Sequence, residues 1–305
     1  MRAYLIRRLW QGAVAVLGAL LIVFVAQRLA GDPVALLLPM DASEEDFAAM
    51  REALGLDRPL PVQFLVFLRD AFTGDFGESY QWQAPAMPLL LERLPATLEL
   101  ALAGLAFALL LAVPLGVMSA VYRGRWVDRL AKVLALMGQA MPGFWVGLLL
   151  ILFLAVRLQW LPAFGRDGPL HLVLPAVALG WYPVAAMTRT LRSSMLDILD
   201  SDYIRTGRVM GLPERTVIWR YALRNAAVPL ATMIGVYFAN MLGGAFVIEV
   251  VFAWPGVGRA VVDAVFARDF PVVQAGVVLS AVIFVVVNLL VDLSYGFIDP
   301  RIRHA

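Results

Sequence analysis

The sequence predicts an all-α membrane protein with about six transmembrane helices, and three observations carry that expectation. The chain of 305 residues is 61% hydrophobic and only 16% charged, against roughly 45 to 50% apolar and about 25% charged in a soluble domain. Six apolar runs approach the about 20 residues needed to cross a hydrocarbon core. Basic residues are also distributed unevenly between the segments that separate those runs.

The first run, 9–26, follows Arg2, Arg7 and Arg8 and could pass for a secretion signal. Gln27, Arg28, Leu29 and Ala30 put a bulky arginine where cleavage needs a small residue, so the run is expected to stay as a helix. Residues 30–95 follow as a lobe that holds 11 acidic residues between Asp32 and Glu92. Ser43, Glu44, Glu45 and Asp46 can cap a short helix through Leu54 that ends at Gly55. A second lobe helix fits 59–72, before the turn residues Gly74, Asp75, Phe76 and Gly77. Phe64, Leu65, Phe67, Leu68 and Phe72 demand burial, which argues for a packed lobe rather than a linker.

The remaining runs are 96–121, 133–156, 172–187, 228–251 and 272–295. The fourth is short and interrupted by Gly180 and Pro183, yet without it the arginine-rich stretch 189–224 would change sides. The chain thus divides into 1–29, the lobe 30–95 and a five-helix core 96–305 with a loop at about 189–226. With the amino terminus inside, inner segments carry 16 basic residues and outer segments 8, so both termini are expected in the cytoplasm.

The loop 200–214 reads as helix, turn, helix. Ser201 or Asp202 can cap the first helix, Gly211 can close it in the left-handed conformation, and Pro213 with Glu214 suits the next first turn. The pair would present a compact knob to the cytoplasm.

At this loop the chain resembles the peptide and nickel permease family of ATP-binding-cassette importers. The wider superfamily shows Glu-Ala-Ala, three residues and Gly, where this chain holds Arg205, Thr206, Gly207 and then Gly211; the trailing Leu-Pro survives only as Leu223 before Arg224. Those departures point to the peptide branch. The stretch 54–63, the turn 74–77 and the stretch from Glu249 to Arg259, with Phe252, Pro255, Gly256 and Gly258, extend the resemblance. It implies a type I ABC importer permease core with an external lobe after the first helix. Asp202, Tyr203, Ile204, Arg205, Thr206, Gly207, Arg208, Gly211 and Leu212 would form its ATPase-coupling loop. The implied partners are a second, homologous permease, two cytoplasmic ATPases holding ATP and Mg, and an external solute-binding protein. The location would be a bacterial-type inner membrane. Peptides are the expected cargo, with nickel chelates or glutathione as alternatives.

This chain is expected to hold no cofactor itself. No phosphate loop with Gly-Lys-Ser/Thr occurs, and the single lysine is Lys132. The absence of cysteine excludes disulfides and thiolate sites, and His171 and His304 lack partners at metal-ligand spacing. The near-even charge gives little support to a nucleic-acid partner, and none is expected. A membrane enzyme would need a clustered nucleophile, base or metal set that the sequence lacks. A channel would work without an ATPase.

Polar residues within the runs have both functional and structural readings. Glu99 can meet a helix dipole in the first turn of the second span. Asn240 can line a pathway or bond a neighbouring helix, and Glu249 can line the pathway or meet interfacial water. Asn288 and Asp292 share one helix face. Pro114, Pro142 and Pro183 would bend spans two to four. Gly235, Ala239, Gly243 and Gly244 have close-approach spacing, and Trp145, Trp181, Trp219 and Trp254 fit interfacial belts. In this cysteine-free chain, cysteines placed at Ser79 and Thr216 should react with impermeant reagent from opposite faces of the membrane; reaction of both from outside would end the six-span reading.

Overall fold

The computed structural model describes residues 2–30, 34, 43–53 and 55–298. Hydrocarbon offers the backbone no hydrogen-bonding partner, so apolar runs pair their own N–H and C=O groups as helices. Among the described residues the regular structure is helical, apart from one bridge between Glu78 and Pro85. In chain order the helices are α1 (Arg2–Ala30), α2 (Glu44–Ala53), α3 (Leu60–Thr73), α4 (Ala86–Val121), α5 (Trp126–Ala140) and α6 (Gly143–Arg157). They continue as α7 (Pro169–Leu199), α8 (Asp202–Val209), α9 (Glu214–Ala226), α10 (Val228–Gly244), α11 (Phe246–Val251), α12 (Val257–Phe266) and α13 (Phe270–Ile298).

Four of these, within α1, α4, α7 and α13, are long and apolar enough to cross a membrane. The bent pairs α5–α6 and α9–α10 raise the number to six if each pair is one span. Ile22 and Leu110 are among many large apolar side chains left exposed on these helices, as a lipid-facing surface requires.

The chain forms two compact units, and the first comprises Met1–Pro95 with Val257–Val285. Its core joins Leu20 of α1, Phe76, Leu90 of α4, Ala260 and Ala264 of α12, and Val272 and Ala275 of α13. The Ser43 N–H donates to the Asp46 carboxylate at 2.9 Å, and the Asp46 N–H donates to the Ser43 hydroxyl at 3.2 Å, a reciprocal cap for α2. Leu54, expected to end that helix, lies outside the described residues. On α3, Phe64 and Phe67 pack on Phe24 of α1, with ring centroids 5.2 and 5.7 Å apart. The expected burial of all five apolar lobe residues is corrected: Leu65 and Phe72 are exposed, because they are two turns apart on the helix face opposite that packing. Ser79 is buried, and its hydroxyl donates to Asp269. The exposed Glu78 and Arg215 are therefore the better positions for face-specific labelling.

The second unit comprises Ala96–Gly256 with Val286–Ala305. Its α4 and α7 pack through Ala108, Ala112 and Val117 against Met187, Leu191 and Met195. Gly180 and Pro183 do not interrupt α7, which continues for 31 residues; at Gly180 a Cβ would lie 2.5 Å from the Gly104 carbonyl oxygen of α4. Pro142 does more than bend its span. Met141 is extended at φ −105° and ψ 120°, as a residue before proline prefers, and α5 meets α6 at 105°. Glu99 is also relocated. Because α4 begins at Ala86, running through Pro95, Glu99 sits well inside the helix, where it pairs with Arg166 at 2.6 Å rather than meeting the helix dipole.

The four small residues of α10 separate into two kinds. A Cβ on Gly235 would overlap Val291 of α13, whereas Gly243 and Gly244 face open space. Ala239 is buried. Asp292, beside Val291 on α13, lies outside the described side chains. Gly235→Leu should force α10 from α13 at a cost of about 1–3 kcal/mol. It should lower the thermal midpoint of purified protein in detergent, while Gly243→Ala leaves that midpoint in place.

Candidate functional site: the α8–α9 knob and the polar clusters

Between α7 and α10 the chain turns back twice to form a knob. Its first helix, α8, buries one side chain, Ile204, which joins the core with Val217 and Ala222 of α9 and Leu191 and Met195 of α7. Asp202, Tyr203, Arg205, Thr206 and Arg208 remain exposed, Gly207 and Leu212 are half-buried, and Gly211 is exposed. At the tip, Val209 and Met210 are 88% and 77% exposed.

The tip is held by local geometry. Gly211 has φ +77°, which glycine adopts without a Cβ penalty. The Leu212 N–H donates to the Gly207 carbonyl at 3.2 Å and the Gly211 N–H to the Arg208 carbonyl at 3.0 Å, so the last carbonyls of α8 are satisfied. Arg208 then spans the turn. Its Nε and Nη2 donate to the two Glu214 oxygens at 3.2 and 2.8 Å, and that carboxylate holds Arg208 above its ordinary pKa. At the other end of the pair, the Asn225 side-chain amide donates to the Tyr203 hydroxyl at 3.0 Å. Ser201 stands at the cap position of α8, yet its hydroxyl donates back to the Ile198 carbonyl at 2.5 Å instead of capping forward. In α9 the backbone widens to π-helical turns over Val217–Ala222, with Val217 and Ala222 directed inward.

The two polar residues proposed for a pathway have different surroundings. Asn240 is exposed on α10, while Glu249 of α11 is 0% exposed. The Thr97 hydroxyl of α4 donates to Glu249 Oε1 at 2.7 Å, so this carboxylate is held by protein rather than by interfacial water. The turn after α11 folds over it. Ala253 adopts φ +51°, the Trp254 N–H donates to the Glu249 carbonyl at 2.8 Å, and Gly256 lies against the carboxylate. Trp254 is not an interfacial aromatic: it is buried, and its indole N–H donates to the Ala96 carbonyl at 2.8 Å. Trp145 and Trp219 are exposed, and Trp181 is half-buried. Phe252 is buried and its carbonyl accepts from the Gly165 N–H at 3.1 Å, whereas Pro255 is exposed and Gly258 half-buried.

One cluster escaped the sequence reading. Asp128, on α5, is buried and accepts from the Ser119 hydroxyl at 2.7 Å, the Gly124 N–H at 3.0 Å, Arg192 Nε at 2.7 Å and Lys132 Nζ at 2.9 Å. The i,i+4 spacing of Asp128 and Lys132 was visible in sequence, but it also describes an ordinary solvated helix pair.

Four to six candidate spans, with α8 projecting after α7, describe a multi-span membrane protein. Residues 112–304 match the family described as binding-protein-dependent transport system inner membrane component, and residues 1–101 match its amino-terminal counterpart. The chain belongs to this family. It is 38% identical to the dipeptide transport system permease protein DppB of Alkalihalophilus pseudofirmus, with 100% of both chains covered. It is 41% identical to the glutathione transport system permease protein GsiC of Salmonella typhimurium and 40% identical to that of Escherichia coli, with 94% of each chain covered in both cases. A chain of the inward-facing MetNI methionine ABC transporter shares the fold at a TM-score of 0.59 and 19% identity, over 70% of this chain and 97% of that one.

The turn after α11 supplies a direct test of packing. Gly256→Ala would drive its Cβ into the Glu249 carboxylate and should cost about 1–3 kcal/mol. Because Glu249→Ala removes the obstacle, the two substitutions together should be less harmful than the sum of their separate effects, read from thermal midpoints of the purified protein.

Proposed function

We propose that this chain is the permease subunit of an ATP-driven peptide importer, working with a second permease, two cytoplasmic ATPases and an external solute-binding protein. The observation that carries the reading is the projecting knob: an apolar tip of Val209 and Met210, closed by Gly211 and clamped by Arg208 and Glu214. Exposed valine and methionine side chains beside arginines suit a protein groove, and sequence family membership supports an ATPase as its owner. ATP and Mg would be held by those partners. In this reading both termini and the knob lie in the cytoplasm, and the lobe after α1 lies outside.

Nucleotide can move the helices only through different affinities for two states. ATP binding would draw the knobs of the two permeases together, and the core packing of Ile204 on Leu191 and Met195 would carry that displacement into α7. The pathway would run between the permeases, with Asn240 on an exposed face as one of its candidate lining residues. The relatives' names include both dipeptide and glutathione permeases, so peptides are the first reading of the cargo and glutathione, itself a small peptide, the second. Uptake of labelled dipeptide and labelled glutathione by vesicles holding the full complex separates the two cargoes.

Gly211→Val tests the knob. A β-branched residue at φ +77° costs about 1–2 kcal/mol, enough to tilt the tip while leaving the spans in place. The variant should assemble with its partners yet lose uptake and lose stimulation of ATP hydrolysis by loaded binding protein. Wild-type values for both at equal complex would sink the coupling assignment.

A further inference from the structure

We infer that Asp128 is a positioning residue for transport: it pins the α4–α5 turn to α7, so that movement of the knob reaches α5 and α6 as well as α7. The inference rests on the reading that the knob is the point where an ATPase acts.

The geometry is that of a joint rather than of a surface ion pair. Two oxygens of one buried carboxylate collect five donors, namely the Ser119 hydroxyl at the end of α4, the Gly124 N–H in the turn, Lys132 on α5, and both Nε and Nη2 of Arg192 on α7. A carboxylate has about four lone-pair sites, so its acceptor capacity is filled. The Asp128 side chain is 1% exposed, and Arg192 beside it 21%. The ionised groups facing Asp128 are Arg192 from α7 and Lys132 from its own helix.

What makes this joint relevant to transport is the position of Arg192. Its neighbour Leu191 and, one turn on, Met195 pack against Ile204 of the knob, in the same core as Val117 and Ala120 of α4. One stretch of α7 therefore holds the knob with apolar side chains and holds α5 with a guanidinium. At its far end α5 is broken from α6 at Pro142 by 105°, and at its near end it begins after the glycine turn at Gly124, φ +79°. A helix with a break at each end follows α7 only as far as its side contacts compel it. Further along α5, Gly138 packs closely on Ala185 of α7, and Gln139 accepts from exposed Arg189 at 2.7 Å, a single neutral-acceptor bond in place of five. A leucine here would leave the Ser119 hydroxyl, the Gly124 N–H and Arg192 without this acceptor, so the carboxylate is what joins α4, the turn and α7.

Asparagine at this position keeps the shape but replaces one acceptor oxygen by an NH2 donor that faces Arg192 or the Gly124 N–H. The test compares the complete complex, with ATPases and binding protein, in vesicles, measuring peptide uptake and ATP hydrolysis separately and normalising both to the complex recovered. Asp128→Asn should hydrolyse ATP while uptake per ATP falls about 2- to 30-fold, the range in which coupling networks act. Asp128→Glu, which keeps the charge, should restore part of the ratio, and Ser119→Ala should lower it less than Asp128→Asn does. A purely structural role would reduce recovered complex and leave uptake per ATP at the wild-type value, which would overturn the inference. If Asp128→Asn does not assemble, Arg192→Gln and Ser119→Ala decide, and wild-type ratios in both overturn it. Wild-type complex without ATP-dependent uptake would instead reject the permease reading on which the inference stands.

Discussion

Backbone hydrogen bonding in hydrocarbon is the constraint from which the rest of this structure follows. An unpaired amide in lipid costs several kcal/mol, so the chain must be helical wherever it crosses and can break only where protein covers the break. The break at Pro142 obeys this rule: Gly143, just beyond it, lies against the Ala178 carbonyl of α7. The turn after α11 is likewise irregular, yet its amides are used internally, with the Trp254 N–H on the Glu249 carbonyl and the Gly256 N–H on the Trp254 carbonyl.

The same solvent dictates how polar side chains are carried. Glu249 is given to Thr97, Glu99 to Arg166, and Asp128 to Arg192, Lys132 and Ser119. These groups do not stabilise the chain merely by being paired, because desolvating two charges offsets much of their attraction. Their effect is to specify which helices meet and in what register. For the buried Asp128, removing its partners would leave a buried charge, a cost of about 3–5 kcal/mol, whereas the exposed Glu99–Arg166 pair is worth about 0–1 kcal/mol.

The knob depends on a different balance. It is small, its only buried side chain on α8 is Ile204, and its tip residues Val209 and Met210 are exposed. Its order therefore comes from short-range geometry: the Gly211 turn, the Arg208–Glu214 clamp and the Asn225–Tyr203 bond.

The sequence by itself determined what depends on neighbours a few residues away. It sufficed for the apolar runs, the cap joining Ser43 to Asp46, the Gly74 and Gly211 helix ends and the helix-turn-helix at 202–214, because each rests on one helical turn or one residue's φ preference. Tertiary structure alone decided the meaning of the polar residues. Thr97 and Glu249 are 152 positions apart, Trp254 and Ala96 158, and Asp128 and Arg192 64, distances at which periodicity carries no information. Glu99 was misplaced because Pro95 looks like a helix boundary locally but is accommodated within α4, and Trp254 because an aromatic beside a turn looks interfacial until its indole finds the Ala96 carbonyl. Gly235 and Gly243 were indistinguishable by spacing. Only the approach of Val291 makes the first a contact and leaves the second open, since steric demand at a glycine is set by what the rest of the chain brings against it.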